Sequence, residues 1–304
     1  MAEHQERILI TGANGLIGRA ALARLSLKYK VYALFRTMPT EPLPNNVIPI
    51  VHDLCTQDDL ELPEIPSTII HLAQSSRYRD FPKGALDVFE VNVGATQRLL
   101  DWGQRQGVKR FIYASSGGVY GSDESAMEDK PIDITTSLDH YQSSKRCGEL
   151  LTQAYRTEMT VVVLRFFFVY GPGQNHMMLI PRLLNCVTEG RAIVLQGADG
   201  IRINPIYSSD AVVAIEAACQ LNTNETINVV GPQELTLREI GMLMGEVTEC
   251  KPSFDVQLDV QPRNLIGNAS KMIKILGSSQ TTMAEGLMKM TEDLPRSLGA
   301  RDAG

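Results

Sequence analysis

The sequence predicts an α/β protein, a doubly wound parallel sheet followed by a smaller C-terminal lobe. Three observations carry this. A short β-branched run beginning at Arg7 passes directly into glycines at 12, 15 and 18 and then into an apolar-periodic segment. Further β-branched runs alternate with amphipathic stretches as far as Phe166, which implies right-handed crossovers and parallel pairing. The chain has 304 residues, enough to bury a large core in one two-lobed unit. The expected division places 1–170 plus 206–230 in the sheet domain and 171–205 plus 231–304 in the lobe.

In chain order, RILITGANGLIG (Arg7 to Gly18) reads as strand, turn and helix start, with the helix itself expected over Arg19 to Tyr29. Glycines at such a turn let the backbone approach a pyrophosphate, which then rests on the helix N-terminus. The spacing is G-x-x-G-x-x-G, so the flanking strand and helix carry the assignment. The next strand, Val31 to Phe35, is followed by Arg36. An acidic residue about 20 positions past the glycines suits the ribose of NAD, whereas arginine suits a 2′-phosphate, so Arg36 leans toward NADP. VIPIVHDL (Val47 to Leu54) reads as a strand ending in Asp53, and STIIHLAQSS (Ser67 to Ser76) as another. Gly84 to Gln106 reads as one long amphipathic helix, and Lys109 to Ser116 and Thr160 to Phe166 as buried strands. Ligand binds beyond the carboxyl ends of such strands, where Gly12, Asp53, Ala73 and Ser116 all fall.

Composition excludes several classes. Hydrophobic residues make up 43% and charged residues 21%, and the formal charge is −6, so neither nucleic acid nor an anionic membrane is expected as partner. The five cysteines are scattered, odd in number and without a Cys-x-x-Cys, which suggests no disulfide framework or zinc site and favours a reducing compartment. No stretch approaches the roughly 18 apolar residues of a membrane span, so the cytoplasm is the expected location.

Chemistry enters at YQSSK, Tyr141 to Lys145. A tyrosine and a lysine four residues apart share one helix face, so an ammonium sits beside a phenol. Positive charge favours phenolate, and the pair is expected to act as an acid/base poised nearer neutrality than a free phenol.

Taken together, GANGLIG, HDLCTQDDL, IIHLAQ, VNVGATQRLLDWGQRQGVKRFIYASSGGVYG, YQSSK and LRFFFVYGPGQ resemble the extended short-chain dehydrogenase/reductase family of nucleotide-sugar epimerases, dehydratases and reductases. The resemblance implies a Rossmann-type fold whose smaller lobe binds substrate, and NAD or NADP as cofactor. It implies that Gly12, Gly15, Leu16, Ile17 and Gly18 cradle the pyrophosphate, with Asp53 and Leu54 near the adenine and Ala73 near the nicotinamide-side ribose. Tyr141 would be the acid/base, Lys145 would hold that ribose and depress the phenol pKa, and Ser116 would bond the reacting oxygen. Asn92 matches a family position behind the site and reads equally as a helix residue bonding a neighbouring strand. Arg202 and Arg263 match arginines aimed at a substrate diphosphate; either reads also as a surface cation.

Departures narrow the chemistry. Dehydratases of the family carry an Asp-Glu pair where this chain has Gly117 and Gly118, so 4,6-dehydration is not expected. Gly118 also supplies no thiol of the kind used by double-inverting epimerases, and His176 reads as a loop residue. Phe168 stands where relatives have asparagine, so either a diphosphate uses other donors or the substrate is unusual. Epimerisation at sugar C4, reduction of a 4-ketosugar by NADPH, reduction of a non-nucleotide carbonyl compound, and a dinucleotide-binding regulator all stay open. The C-terminal part is expected to hold a helix over Tyr207 to Cys219, with Asp210 near its start, methionine-rich packing around Met283 to Met290, and a frayed tail from 297 on. A homodimer through Gly84 to Gln106 and Asp139 to Glu158 is expected by the same resemblance.

Overall fold

The computed structural model describes residues 5–133 and 135–292. Seven parallel strands form the main sheet: β1 (Arg7–Thr11), β2 (Lys30–Phe35), β3 (Val47–Val51), β4 (Thr68–His71), β5 (Arg110–Ser116), β7 (Thr160–Phe166) and β10 (Glu225–Val229). Their spatial order is β10-β7-β5-β4-β1-β2-β3, so the chain reverses direction of growth between β1 and β4. The central strands are apolar on both faces because helices cover both: Ile8, Leu9, Ile10, Ile69 and Ile70 are all fully buried. Truncating any of them to alanine leaves a cavity worth about 2–5 kcal/mol.

One face is covered by α1 (Leu16–Leu25) and α6 (Ser208–Ala218), whose Leu22, Leu25, Val212 and Ile215 join the core against β1, β2, β5 and β7. The other is covered by α2 (Ala85–Phe89), α3 (Ala95–Arg105) and α4 (His140–Ala154), with Leu99, Leu100 and Trp102 packed on Leu9, Phe111 and Val161. A separate core around Tyr170, Leu183, Leu195, Ile240 and Leu287 holds the lobe. It is built from α5 (Leu179–Thr188), α7 (Leu237–Thr248), α9 (Met283–Thr291) and the paired strands β8 (Ile193–Gln196) and β12 (Phe254–Gln257). A four-stranded sheet joins the lobe to the main body: β6 (Asp123–Ala126), β9 (Arg202–Ile203), β11 (Leu235–Thr236) and β13 (Leu265–Gly267). The short α8 (Ser270–Ile275) lies against β10.

Several expected elements need correction. The first helix begins at Leu16, not Arg19, and ends at Leu25, so Gly18 lies inside its first turn. The third strand stops at Val51, leaving Asp53 in a loop where its carboxylate accepts the backbone N–H of Cys55 at 2.9 Å. The long helix is interrupted: Glu90–Gly94 forms a π turn between α2 and α3, a local widening that buries Asn92. Asp210 accepts the backbone N–H groups of Gln280 and Thr281 at 2.9 and 2.7 Å, fastening α6 to the loop before α9. The tail from 297 on lies outside the described residues.

Candidate active site

A cavity of about 1020 Å³ opens beyond the carboxyl ends of β1, β4, β5 and β7, and Gly12, Gly15, Leu16, Ile17, Gly18, Ser116, Tyr141 and Lys145 all line it. This is the point where strand order reverses, the position at which open α/β sheets receive ligands.

The turn after β1 fits a dinucleotide pyrophosphate. Gly12 has φ +68°, and a Cβ there would stand 2.7 Å from the Ala73 nitrogen; one at Gly18 would stand 2.2 Å from the Gly12 carbonyl oxygen. Only glycine allows this close approach, and it turns the N-terminus of α1 toward the cavity. Leu72 and Gln74 line the cavity on either side of Ala73, whose N–H donates to Thr11 Oγ1 at 3.1 Å. Arg36 and Asp53 are exposed and Leu54 half-buried, beyond β2 and β3 and outside the cavity lining.

Helix α4 presents the reactive residues. Asp139 caps it, accepting the Gln142 N–H at 2.7 Å, while the Gln142 side chain accepts the Asp139 N–H at 2.9 Å. This reciprocal cap sets Tyr141 in the first turn, at the cavity wall. The Tyr141 hydroxyl donates to Gln74 Oε1 at 3.2 Å, and its ring lies 5.0 Å from that of Tyr78. One turn on, Lys145 is buried; its Nζ donates to the Ala114 carbonyl at 2.9 Å and sits 6.0 Å from the Tyr141 ring centre. Burial drives the Tyr141 phenol above its ordinary range, with Tyr78 and Asp139 adding to the rise and a hydrogen bond from Ser116 opposing it. Burial pushes Lys145 down to about 8. The expected depression of the phenol by Lys145 is therefore corrected: the phenol is raised. The ammonium donates to Ala114 and stands 6.0 Å from the Tyr141 ring centre, and desolvation of the phenolate dominates.

Ser116 ends β5, and its Oγ accepts the Gly118 N–H at 3.1 Å while still facing the cavity. Gly117 and Gly118 have a packing reason. A Cβ at 117 would meet the Phe167 ring at 2.7 Å, and one at 118 would meet Gln142 Cγ at 3.0 Å.

Buried groups that motif reading did not single out hold this arrangement. Thr11 Oγ1 lies 2.7 Å from His71 Nδ1, His71 Nε2 lies 2.9 Å from Thr96 Oγ1, and the Thr96 hydroxyl donates to the Asn92 carbonyl at 2.8 Å. Because Thr96 spends its proton on that carbonyl and Thr11 accepts from Ala73, His71 carries its proton on Nε2; burial lowers its pKa to about 3, keeping it neutral. The Asn92 side chain continues the chain, accepting the Ser75 N–H and donating to Ser144 Oγ, both at 2.9 Å, and Ser144 donates to the Tyr141 carbonyl at 2.7 Å. Asn92 thus bonds the loop after β4 and helix α4, where a bond to a neighbouring strand was the alternative expectation. Deeper still, buried Glu149 accepts from Ser115 at 2.6 Å and bidentately from Arg165 at 2.8 Å. Burial alone would raise that carboxyl, but the guanidinium holds it below the usual range. The periodicity of α4 gave a signal for Glu149 only as an anomaly, a carboxylate on the inward face.

Other expected residues stand apart. Arg202 is exposed and pairs with Glu234 at 3.0 Å; Arg263 is exposed on the segment leading to Leu265, which does line the cavity. His176 is exposed and outside the lining, whereas Phe168 is within it. All five cysteines are free, and among the described residues no cluster of His, Cys, Asp or Glu is arranged to hold a metal. Among the same residues no helix is long and apolar enough to cross a membrane.

Comparison with known proteins bears on the family and the fold. Residues 8–230 match the model of the NAD dependent epimerase/dehydratase family. An uncharacterized UDP-glucose epimerase, YtcB of Bacillus subtilis (strain 168), is 26% identical over 92% of this chain and 95% of its own. GDP-6-deoxy-D-talose 4-dehydrogenase of Aggregatibacter actinomycetemcomitans is 26% identical over 90% of this chain and 92% of its own. Among solved structures, MoeE5 in complex with UDP-glucuronic acid and NAD superposes with a TM-score of 0.79 at 28% identity, covering 94% of this chain and 98% of that one.

Proposed function

The chain belongs to the NAD dependent epimerase/dehydratase family, and from that premise we propose that it is an NAD-dependent enzyme that oxidises and re-reduces a nucleotide-linked sugar at C4, inverting that carbon. The observation that carries this is convergence: Ser116, Tyr141 and Lys145 share one cavity with the glycine turn and the start of α1. Gly12, Gly15, Leu16, Ile17 and Gly18 would hold the pyrophosphate of NAD, Asp53 and Leu54 its adenine end, and Ala73 and Lys145 its nicotinamide ribose. Bound NAD supplies a reversible hydride acceptor. Beside the positive charge of an oxidised nicotinamide Tyr141 would be favoured as phenolate, take the proton of the sugar hydroxyl as a hydride leaves the carbon, and return that proton to the same oxygen when the hydride comes back to the opposite face of the carbon. Ser116 Oγ bonds the same oxygen and fixes its place relative to the phenol.

Complexes with NAD among structures at 28% identity support NAD as cofactor, which sets aside the lean toward NADP drawn from Arg36. A side chain at 117 would have to displace the Phe167 ring, and the glycines at 117 and 118 supply no carboxylate for dehydration. Arg202 and Arg263 would bind the substrate diphosphate, and their alanine variants are expected to raise KM with little change in kcat. Exposed Leu86, Phe89 and Leu150 on α2 and α4 support a homodimer through these helices, with a light-scattering mass of about twice 33.5 kDa. Five free thiols suit the reducing cytoplasm.

Thermal-shift measurement with NAD, NADP and a panel of nucleotide sugars tests the reading. A ligand at 100 times its Kd stabilises by about 2.7 kcal/mol. NAD together with a nucleotide sugar should raise Tm, and C4 epimerisation should follow by NMR. Turnover only with NADPH and a ketosugar would instead make the protein a reductase.

A further inference from the structure

The ends of β4, β5 and α4 form a polar wall of the cavity and bring Gln74, Ser116, Tyr141, Gln142 and Lys145 together, while the chain leaving β7 for α5 brings Phe168, Val169, Gln174 and Met178 to the wall across from it. Gln74 is the member of the polar wall outside both the helix cap and the Ser116–Tyr141–Lys145 set. Its Oε1 accepts the Tyr141 hydroxyl at 3.2 Å, and among the described residues that is the one hydrogen bond its amide makes. The phenol proton therefore decides which end of the amide faces Tyr141.

The backbone is fastened on both sides of Gln74. The Ala73 N–H donates to Thr11 Oγ1 at 3.1 Å and the Ser75 N–H to Asn92 Oδ1 at 2.9 Å, and Asn92 leads through Ser144 back to the Tyr141 carbonyl. The same buried chain thus holds Gln74 and Tyr141 opposite one another, although 67 positions separate them in sequence.

Ionisation of Tyr141 calls for a donor that the other groups do not supply. Facing the phenol are Asp139 and Lys145 from its own helix, Tyr78 with Arg79 stacked on it from the loop after β4, and Tyr113 and Ser116 from β5. Asp139 and Tyr78 oppose a phenolate, and Lys145 donates to the Ala114 carbonyl. Ser116 has a single proton, and bonding the reacting sugar oxygen uses it. A phenolate without a donor carries the full cost of its desolvation. An amide turned end for end fills the same space with Nε2 where Oε1 stood, and it then donates where it accepted.

We propose that Gln74 is a further catalytic residue, accepting the Tyr141 proton while that side chain is a phenol and, with its amide reversed, donating Nε2–H to the same oxygen once it is a phenolate; this rests on the nucleotide-sugar reading above. The amide itself gains and loses no proton, which passes only between Tyr141 and the sugar oxygen. Gln74 thereby sets the fraction of the enzyme that stands ready to take the sugar proton at neutral pH.

The test is a titration that needs no substrate. With NAD bound, the near-ultraviolet absorbance of the Tyr141 phenolate is read in each background against the matching Tyr141→Phe protein. Gln74→Met, similar in length but without an N–H, should move the midpoint up by about one pH unit. Gln74→Glu, which accepts but does not donate and adds negative charge, should move it higher still. In turnover, kcat of Gln74→Met at neutral pH should fall by about tenfold and recover as pH rises, because the missing phenolate returns. A role confined to packing would lower Tm and leave the midpoint in place. An unchanged midpoint overturns the proposal, and so does a midpoint that falls in Gln74→Met, because loss of a group that only accepts releases the phenol proton more readily. Displaced midpoints in a protein that turns over no nucleotide sugar would support the Gln74–Tyr141 bond and overturn the nucleotide-sugar reading.

Discussion

The two walls of the cavity are held in different ways. Tyr141 and Lys145 stand on a helix with a reciprocal cap, Ser116 ends a seven-residue strand, and the Thr11–His71–Thr96–Asn92–Ser144 chain ties glycine turn, π turn and α4 together through buried bonds of 2.7 to 2.9 Å. Phe168 to Met178 has no regular structure between β7 and α5. The difference teaches where precision is needed. Proton transfer demands positions fixed to a fraction of an ångström, which regular elements and buried networks supply.

The largest expected effect lies on the polar wall. Tyr141→Phe should lower kcat by about 10²–10⁴-fold while NAD affinity stays within a few-fold, measured by steady-state turnover and calorimetry. A smaller loss of kcat would break the distinction between the walls. Gly18→Ala comes next. Its Cβ would lie 2.2 Å from the Gly12 carbonyl, so the turn must open, and NAD affinity should fall by about tenfold or more with the sheet core unaffected in circular dichroism.

His71 offers a pH-dependent test of the buried chain. Its folded-state pKa of about 3 lies below the ordinary 6.5, so on acidification the unfolded chain takes up the proton first. Stability is lost from about pH 6.5 downward, at roughly 1.4 kcal/mol per pH unit. His71→Asn should be less stable than wild type at pH 7, and the gap should narrow as pH falls to 5; a constant gap in urea titrations would remove His71 from the account. The smallest effect belongs to the cap: Asp139→Ala should cost about 1 kcal/mol in the same titrations, because the Gln142 N–H loses its acceptor.

The glycine turn, the Tyr141/Lys145 pair, Ser116 and the succession of βα units were legible because each is a local pattern: spacing along the chain translates directly into one turn, one helix face or one buried strand. Boundaries were less so. The start of the first helix at Leu16 follows from Gly18 packing against the Gly12 carbonyl, and the π turn at Asn92 from partners on Ser75 and Ser144.

By itself the sequence determined the parallel α/β fold and the family, and it singled out Ser116, Tyr141 and Lys145, which line one cavity, since these rest on residue types at short, fixed spacings. Tertiary structure alone decided that the Tyr141 phenol is raised instead of lowered, that Gly117 is emptied by Phe167, that Glu149 is kept ionised by Arg165, and that Phe168 bends left-handed into the cavity. Each of these depends on desolvation or on contact between groups far apart in the chain, and neither quantity exists until the chain has folded.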